Sequence, residues 1–299
     1  MRILVAGGQG QVGSALAQLG KEQELDLVAL GRSELNITDA ASISTAFEKY
    51  QPELLINAAA YTAVDKAESE AELAYAINET ATALLADACA AANIPMLHIS
   101  TDYVFDGSKE GLYTEDDPVN PLAVYAKSKE AGESALRARV ERHIILRTSW
   151  VFGVQGNNFV KTMVRLAKDR DRLTVVADQF GGPSSARGIA EVLLTIASQY
   201  EKTGTVAWGT YHHCQKPYVS WHQFAQAIIE RATHMGLVDH LVQVAPIPSS
   251  EFPTPVTRPA NSRLDTTALR LAFNIEDSDW APEVDRLLES LRAEAAVSA

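Results

Sequence analysis

The 299-residue chain has only two cysteines, Cys89 and Cys214. Two thiols cannot build a disulfide framework, so a reducing compartment is expected. Positive charge is also scarce: 26 Lys and Arg stand against 38 Asp and Glu, a formal net charge of −12. Such a surface repels nucleic-acid backbones and anionic membranes, which excludes both as expected partners. No apolar run approaches the length of about 20 residues that spans a bilayer. Met1–Gly7 reads as a short buried strand, too short for the apolar region of a signal peptide, so a cytoplasmic location is expected. Repeats and low-complexity tracts are absent. His212-His213-Cys214 could recruit a metal, but neighbours along a strand point to opposite faces and cannot converge on one ion. No metal site is expected.

What is present is apolar surface, 46% of residues, in an ordered pattern. Short apolar runs at Ile3–Ala6, Leu25–Leu30, Leu54–Asn57, Met96–Ser100 and His143–Arg147 alternate with helical stretches near 11–20, 39–50, 66–93 and 122–140. This alternation predicts an α/β fold: a doubly wound, Rossmann-like parallel sheet with helices on both faces. A further strand at Leu173–Ala177 and a helix at Ala186–Tyr200 are assigned to the same unit. Scattered prolines (Pro246, Pro248, Pro253, Pro255, Pro259) and helices near 220–235 and 281–292 point to a smaller, partly loop-built C-terminal substrate domain. The expected division is 1–150 plus about 172–205 for cofactor and about 151–171 plus 206–299 for substrate. The tail Ala293–Ala299 is expected to fray.

Gly7, Gly8, Gly10 and Gly13 lie between the first strand and the first helix. Glycines at this spacing permit a tight turn, close approach of backbone to a pyrophosphate, and close packing of helix on strand. The helix N-terminus adds free amides. An acidic residue at the end of the second strand would hold the ribose of NAD, but Arg32 stands there. Its guanidinium suits the 2′-phosphate of NADP, so NADPH is favoured and NADH left open.

Tyr125 and Lys129 are four apart and share one face of a helix; Lys127, two residues from the tyrosine, is on another. A free phenol has a pKa of about 10 and a nearby ammonium would lower it. Reduction of a carbonyl needs one such acid beside the oxygen that becomes negative. Thr101 and Asp102 fall at the carboxyl end of the fourth strand, where ligands bind in open α/β sheets.

The order of glycine turn, Ser-Thr and Tyr-x-x-x-Lys resembles the extended short-chain dehydrogenase/reductase family. The segments Asn57–Glu68, Ser100–Asp106, Leu146–Phe152, Asn157–Met163, Asp178–Gly181 and Arg258–Leu264 narrow the resemblance to the dTDP-4-dehydrorhamnose reductases, over nearly the whole chain. The resemblance implies NAD(P)H-dependent reduction of the C4 ketone of a dTDP-linked 6-deoxy-4-ketohexose. It implies Tyr125 as proton donor, Lys129 as its tuning partner on the nicotinamide ribose, and Thr101 as the hydroxyl that orients the ketone. Gly7, Gly10, Gln11, Val12 and Gly13 would meet the pyrophosphate, Asn36 and Ile37 the adenine, and Ala60, Tyr61 and Thr62 the cofactor path. Asp102 and Trp150 would face the sugar, with Arg258 and Arg263 toward the diphosphate.

The family often has Asp before Ile37 where this chain has Asn36, and usually Pro-Thr where it has Pro183-Ser184, which keeps the hydroxyl. Some members dimerise around magnesium held by glutamates; the matching positions here are Ala15 and Arg187, neither a ligand for a hard cation. A monomer or weak homodimer without magnesium is expected. Two alternatives remain at this stage. An epimerase or dehydratase on the same scaffold would not consume its cofactor. A non-catalytic subunit resembling the β subunit of methionine adenosyltransferase would not need the intact Thr101, Tyr125 and Lys129.

Overall fold

The computed structural model describes residues 1–298. The chain opens with β1 (Ile3–Ala6), α1 (Gln11–Glu22), β2 (Leu27–Leu30), α2 (Ala40–Tyr50) and β3 (Leu54–Asn57). A short helix α3 (Val64–Ala67) precedes α4 (Ala71–Tyr75), which runs through a π turn at Ala76–Thr80 into α5 (Ala81–Ala92). Then come β4 (Met96–Thr101), α6 (Val124–Arg137), β5 (His143–Thr148), β6 (Val151–Phe152), α7 (Phe159–Lys168) and β7 (Arg172–Val176). The remainder comprises β8 (Phe180–Gly181), β9 (Ser184–Ser185), α8 (Ala186–Thr203), β10 (Gly209–His213), β11 (Val219–Ser220) and α9 (Trp221–His234). β12 (Gln243–Ile247), β13 (Asn261–Ser262), α10 (Thr267–Phe273) and α11 (Ala281–Ser298) complete it. The tail expected to fray is helical through Ser298, and Ala299 lies outside the described residues.

The main sheet has six strands in the order β2-β1-β3-β4-β5-β10, and every pairing is parallel. Its strands are apolar on both sides, as a sheet covered on both faces requires. Ile3 and Val5 pack under α1 and α8, while Leu4 and Ala6 pack under α2 and α5. The chain order reverses across β1, which has β2 on one side and β3 on the other; a crevice opens there at the carboxyl ends of the strands.

The second core is formed by α7, β7, α9 and α11 around Phe152, Phe224 and Trp280. The stretch 172–205, assigned to the cofactor unit by sequence, is split. β7 pairs with β12 outside the main sheet, and its Leu173 and Val175 belong to the second core. Its alternation of exposed and buried residues is that of a strand covered on one face. α8 stays on the main sheet, and β10, placed by sequence on the substrate side, is the sixth strand of that sheet.

Candidate active site

The turn from β1 to α1 is as tight as its glycines allow. Gly7 has φ of +86°, and a Cβ there would lie 2.6 Å from the Ala59 nitrogen. A Cβ on Gly13 would stand 2.1 Å from the Gly7 carbonyl oxygen. Gly10 is the residue before the helix and supplies no side-chain cap, and α1 has no acidic residue in its first turn. The amides of Gln11, Val12 and Gly13 are therefore left to a ligand, and no carboxylate repels an anion from them. The Gln11 side chain is held aside by Asn158, whose Nδ2 donates to Oε1 at 3.1 Å.

A groove runs from this turn across the ends of β1, β2 and β3. Gly7, Gly10, Arg32, Asn36, Ile37 and Ala60 all line it. Arg32 is exposed at the rim and forms no ion pair among the described residues. Asn36 accepts from the Thr38 hydroxyl at 2.8 Å, a neutral contact in place of a carboxylate. The bare backbone cradle and the open cation fit a dinucleotide phosphate. Tyr61 and Thr62 do not line this groove. The Tyr61 ring is buried with Tyr125 and its hydroxyl donates to Glu70 at 2.7 Å, a bond that pushes the phenol up to about 12.

Thr101 and Asp102 end β4, and Tyr125 and Lys129 face them from the first turns of α6. The Thr101 hydroxyl donates to Asp102 Oδ1 at 3.0 Å and stands beside the Tyr125 phenol. Asp102 Oδ2 is buried without a well-formed hydrogen bond, with the Ser262 hydroxyl beside the carboxyl, and burial pushes the carboxyl up to about 6. The expectation for Tyr125 is corrected: its pKa is raised to about 12, not lowered, with burial the largest cause. Lys129 does not pull it down, because its nitrogen donates to the Ile99 carbonyl at 2.7 Å and meets His98 Nε2 at 3.3 Å. Lys129 is itself lowered to about 8 by burial.

Trp150 follows β5 with φ of +50° and stacks on Trp221, ring centroids 3.5 Å apart. Gly181 makes this possible, since a Cβ there would lie 2.6 Å from the indole. Arg258 pairs with Asp65 at 3.2 Å and contributes to the field at Tyr103, beside Tyr125. Arg263 is tied to Asn261 Oδ1 at 2.8 Å and lies over the ring of Phe180. Arg187 pairs with Glu22 on α1 and Glu191 on α8, and no group of three or more His, Cys, Asp or Glu is arranged to hold a metal among the described residues.

Sequence inspection missed two residues. Asn78, in the π turn, accepts from the Tyr61 amide at 2.9 Å and donates to the Tyr61 carbonyl and to Ser128, so one side chain joins the loop after β3 to α6. Gly132 lets α6 lie against that turn, since a Cβ there would be 2.1 Å from the Asn78 carbonyl oxygen. The signal was an asparagine inside an alanine-rich helix, where it has low propensity. His98 is the other; its neighbours in β4 gave no reason to separate it from core.

The profile of the RmlD substrate binding domain family matches residues 1–293. A dTDP-4-dehydrorhamnose reductase of Aggregatibacter actinomycetemcomitans is 46% identical over 98% of this chain and 99% of its own length. The protein of the same name in Escherichia coli K12 is 38% identical over 99% and 100%. Among solved structures, the Bacillus anthracis dTDP-4-dehydrorhamnose reductase in complex with NADP superposes with a TM-score of 0.86 at 33% identity, covering 96% of this chain and 98% of that one. A UDP-glucose 4-epimerase of Thermus thermophilus, 19% identical with a TM-score of 0.78 over 98% of this chain and 99% of its own, shares the fold alone. No helix among the described residues is long and apolar enough to cross a membrane. The chain belongs to the RmlD family of dTDP-4-dehydrorhamnose reductases.

Proposed function

We propose that this chain reduces the C4 ketone of dTDP-4-dehydro-L-rhamnose to dTDP-L-rhamnose, a precursor for cell-surface polysaccharide, at the expense of NADPH, with NADH as a poorer donor. The observation that carries the proposal is the meeting of the Thr101 hydroxyl and the Tyr125 phenol at the carboxyl end of β4, with Lys129 one turn further along α6. A nicotinamide cofactor held in the groove by Arg32 and the glycine turn would supply the hydride. Thr101 orients the carbonyl oxygen, and Tyr125 gives that oxygen its proton as negative charge grows there. A phenol raised to about 12 is fully protonated near neutrality, the state a proton donor requires. Arg32 takes the 2′-phosphate, Gln11, Val12 and Gly13 take the pyrophosphate on backbone amides, and Gly10 lies against it without a side chain in the way.

On the substrate side, the unpartnered Asp102 Oδ2 is a ready acceptor for a sugar hydroxyl. Trp150 walls the sugar site; Arg258, and Arg263 beside the exposed Phe180 ring, supply positive charge for the diphosphate. We divide the chain into a cofactor unit and a substrate unit, with β10 in the first and β7 in the second. The enzyme is proposed to act in the cytoplasm as a monomer or weak homodimer without magnesium. The test is spectrophotometric: NADPH oxidation with dTDP-4-dehydro-L-rhamnose and with its GDP and UDP analogues. Stoichiometric cofactor consumption with the dTDP sugar is expected; a cofactor that stays bound and unconsumed through turnover overturns the proposal in favour of epimerase or dehydratase chemistry.

A further inference from the structure

Behind Lys129 lies a closed chain of hydrogen bonds that the reaction does not use. Asn57 ends β3, and its Oδ1 accepts from the Ala59 amide at 3.1 Å. This contact sets which way the side-chain amide faces, so Nδ2 is the atom directed at His98 Nδ1, 3.1 Å away. An amide nitrogen only donates, so Nδ1 accepts and carries no proton. A neutral imidazole then carries its proton on Nε2, the atom 3.3 Å from the Lys129 nitrogen.

We infer that His98 is a positioning residue that weakens the hold of Lys129 on its proton in the ligand-free enzyme, through the Nε2–H tautomer imposed by Asn57 and Ala59. An amine has two N–H groups and one lone pair. The lone pair accepts from His98, one N–H is donated to the Ile99 carbonyl at 2.7 Å, and the other is free for the cofactor side. An ammonium has no lone pair and would set two donors against each other at His98. The ring cannot escape by taking a second proton, because Nδ1–H would then point at the Asn57 amide; burial also holds His98 well below the ordinary histidine value.

The other groups around Lys129 do not reverse this. Glu133, one turn along α6, favours an ammonium, but its carboxylate is already engaged by Arg147 and Arg137. Tyr125, one turn back, is neutral, and Asp102 forms no ion pair with Lys129 among the described residues. The depressed value of Lys129 agrees with the geometry.

The inference rests on the reductase reading only in placing Lys129 at the reacting centre. The first measurement needs no turnover: nitrogen NMR of the ligand-free protein labelled with 15N-histidine, the His98 signals assigned by their loss in His98→Gln. Nδ1 is expected at the shift of an unprotonated nitrogen and Nε2 at that of a protonated one; the reverse overturns the inference, whatever the enzyme reduces. The second uses Asn57→Asp. A carboxylate there accepts both from Ala59 and from His98 Nδ1–H, so the ring proton moves from Nε2 to Nδ1 and the Nε2 lone pair receives an ammonium. The basic limb of the kcat/KM pH profile is expected to rise by about 1–2 units. A limb that stays in place while the NMR shows the tautomer switched overturns the inference. If that variant does not fold, titration of 15Nζ-labelled lysine in the unaltered protein decides: Lys129 is expected to titrate more than about one unit below the exposed lysines, and an ordinary lysine midpoint overturns it.

Discussion

One helix, α6, carries two buried polar regions that differ in how completely their partners are supplied. Its second half presents Glu133, fully buried, to Arg147 in a two-pronged pair at 2.9 and 2.7 Å and to Arg137 at 2.6 Å. Its first turns present Tyr125 to Thr101 and Asp102, where a carboxylate oxygen lacks a partner, and Lys129 to Ile99 and His98, where no ion pair forms. The first arrangement is closed on its acidic side: charge is matched inside the protein, and burial is tolerated because each carboxylate oxygen is bound, although Arg147 Nη1 is left without a partner. The second is open: the groups are desolvated without opposite charge to match them, which raises Tyr125 and Asp102 and lowers Lys129. Open valences at the end of a rigid strand are what a substrate can complete.

The largest effect expected separates the two regions outright. Tyr125→Phe should reduce turnover by about 10²–10⁴-fold while cofactor binding, followed by fluorescence titration, is retained. Near-normal turnover would remove the phenol from the reaction. In the closed region, Glu133→Gln should cost about 3–5 kcal/mol in urea unfolding, because it strands a buried guanidinium. The double change Glu133→Leu with Arg147→Met should recover most of that loss; equal destabilisation by both would mean that the pair is not the reason.

Asp102 gives a smaller effect with a defined sign. Its folded-state pKa, about 6, lies above the ordinary carboxylate value, so its favourable contribution is full below pH about 4 and is lost as pH rises through about 6. Ionised at neutral pH it costs on the order of 3 kcal/mol. Asp102→Asn should therefore flatten the fall in stability between these pH values in thermal unfolding, and an unchanged slope would contradict the assignment. The smallest effect lies at the rim. Arg32→Ala should weaken NADPH by about tenfold and leave NADH unaltered, because one exposed charge-assisted contact is removed. Equal loss for both cofactors would place Arg32 away from the 2′-phosphate.

Much of the open site was legible in advance because its spacing is local. The glycines from Gly7 to Gly13 lie on one turn, Tyr125 and Lys129 on one helix face, and Thr101 and Asp102 at the end of one apolar run. The closed region was not, because Arg147 and Glu133 meet only when β5 lies under α6. Tyr61 was placed on the cofactor path by resemblance, yet its side chain turns to Glu70. His98 was hidden for a similar reason: one polar residue within an apolar strand has no local signature, and its role depends on Asn57 from the neighbouring strand.

The amino-acid order alone determined the alternation of strand and helix, the bare helix start at Gly10 and the shared helix of Tyr125 and Lys129, because each follows from the repeat of one element. It misplaced β7 and β10, since membership of a sheet is decided by which strand lies alongside. Only the tertiary structure decided the protonation preferences of Tyr125, Lys129 and Asp102. Those depend on how much water is excluded and which dipoles remain within reach, and both are properties of the packed chain.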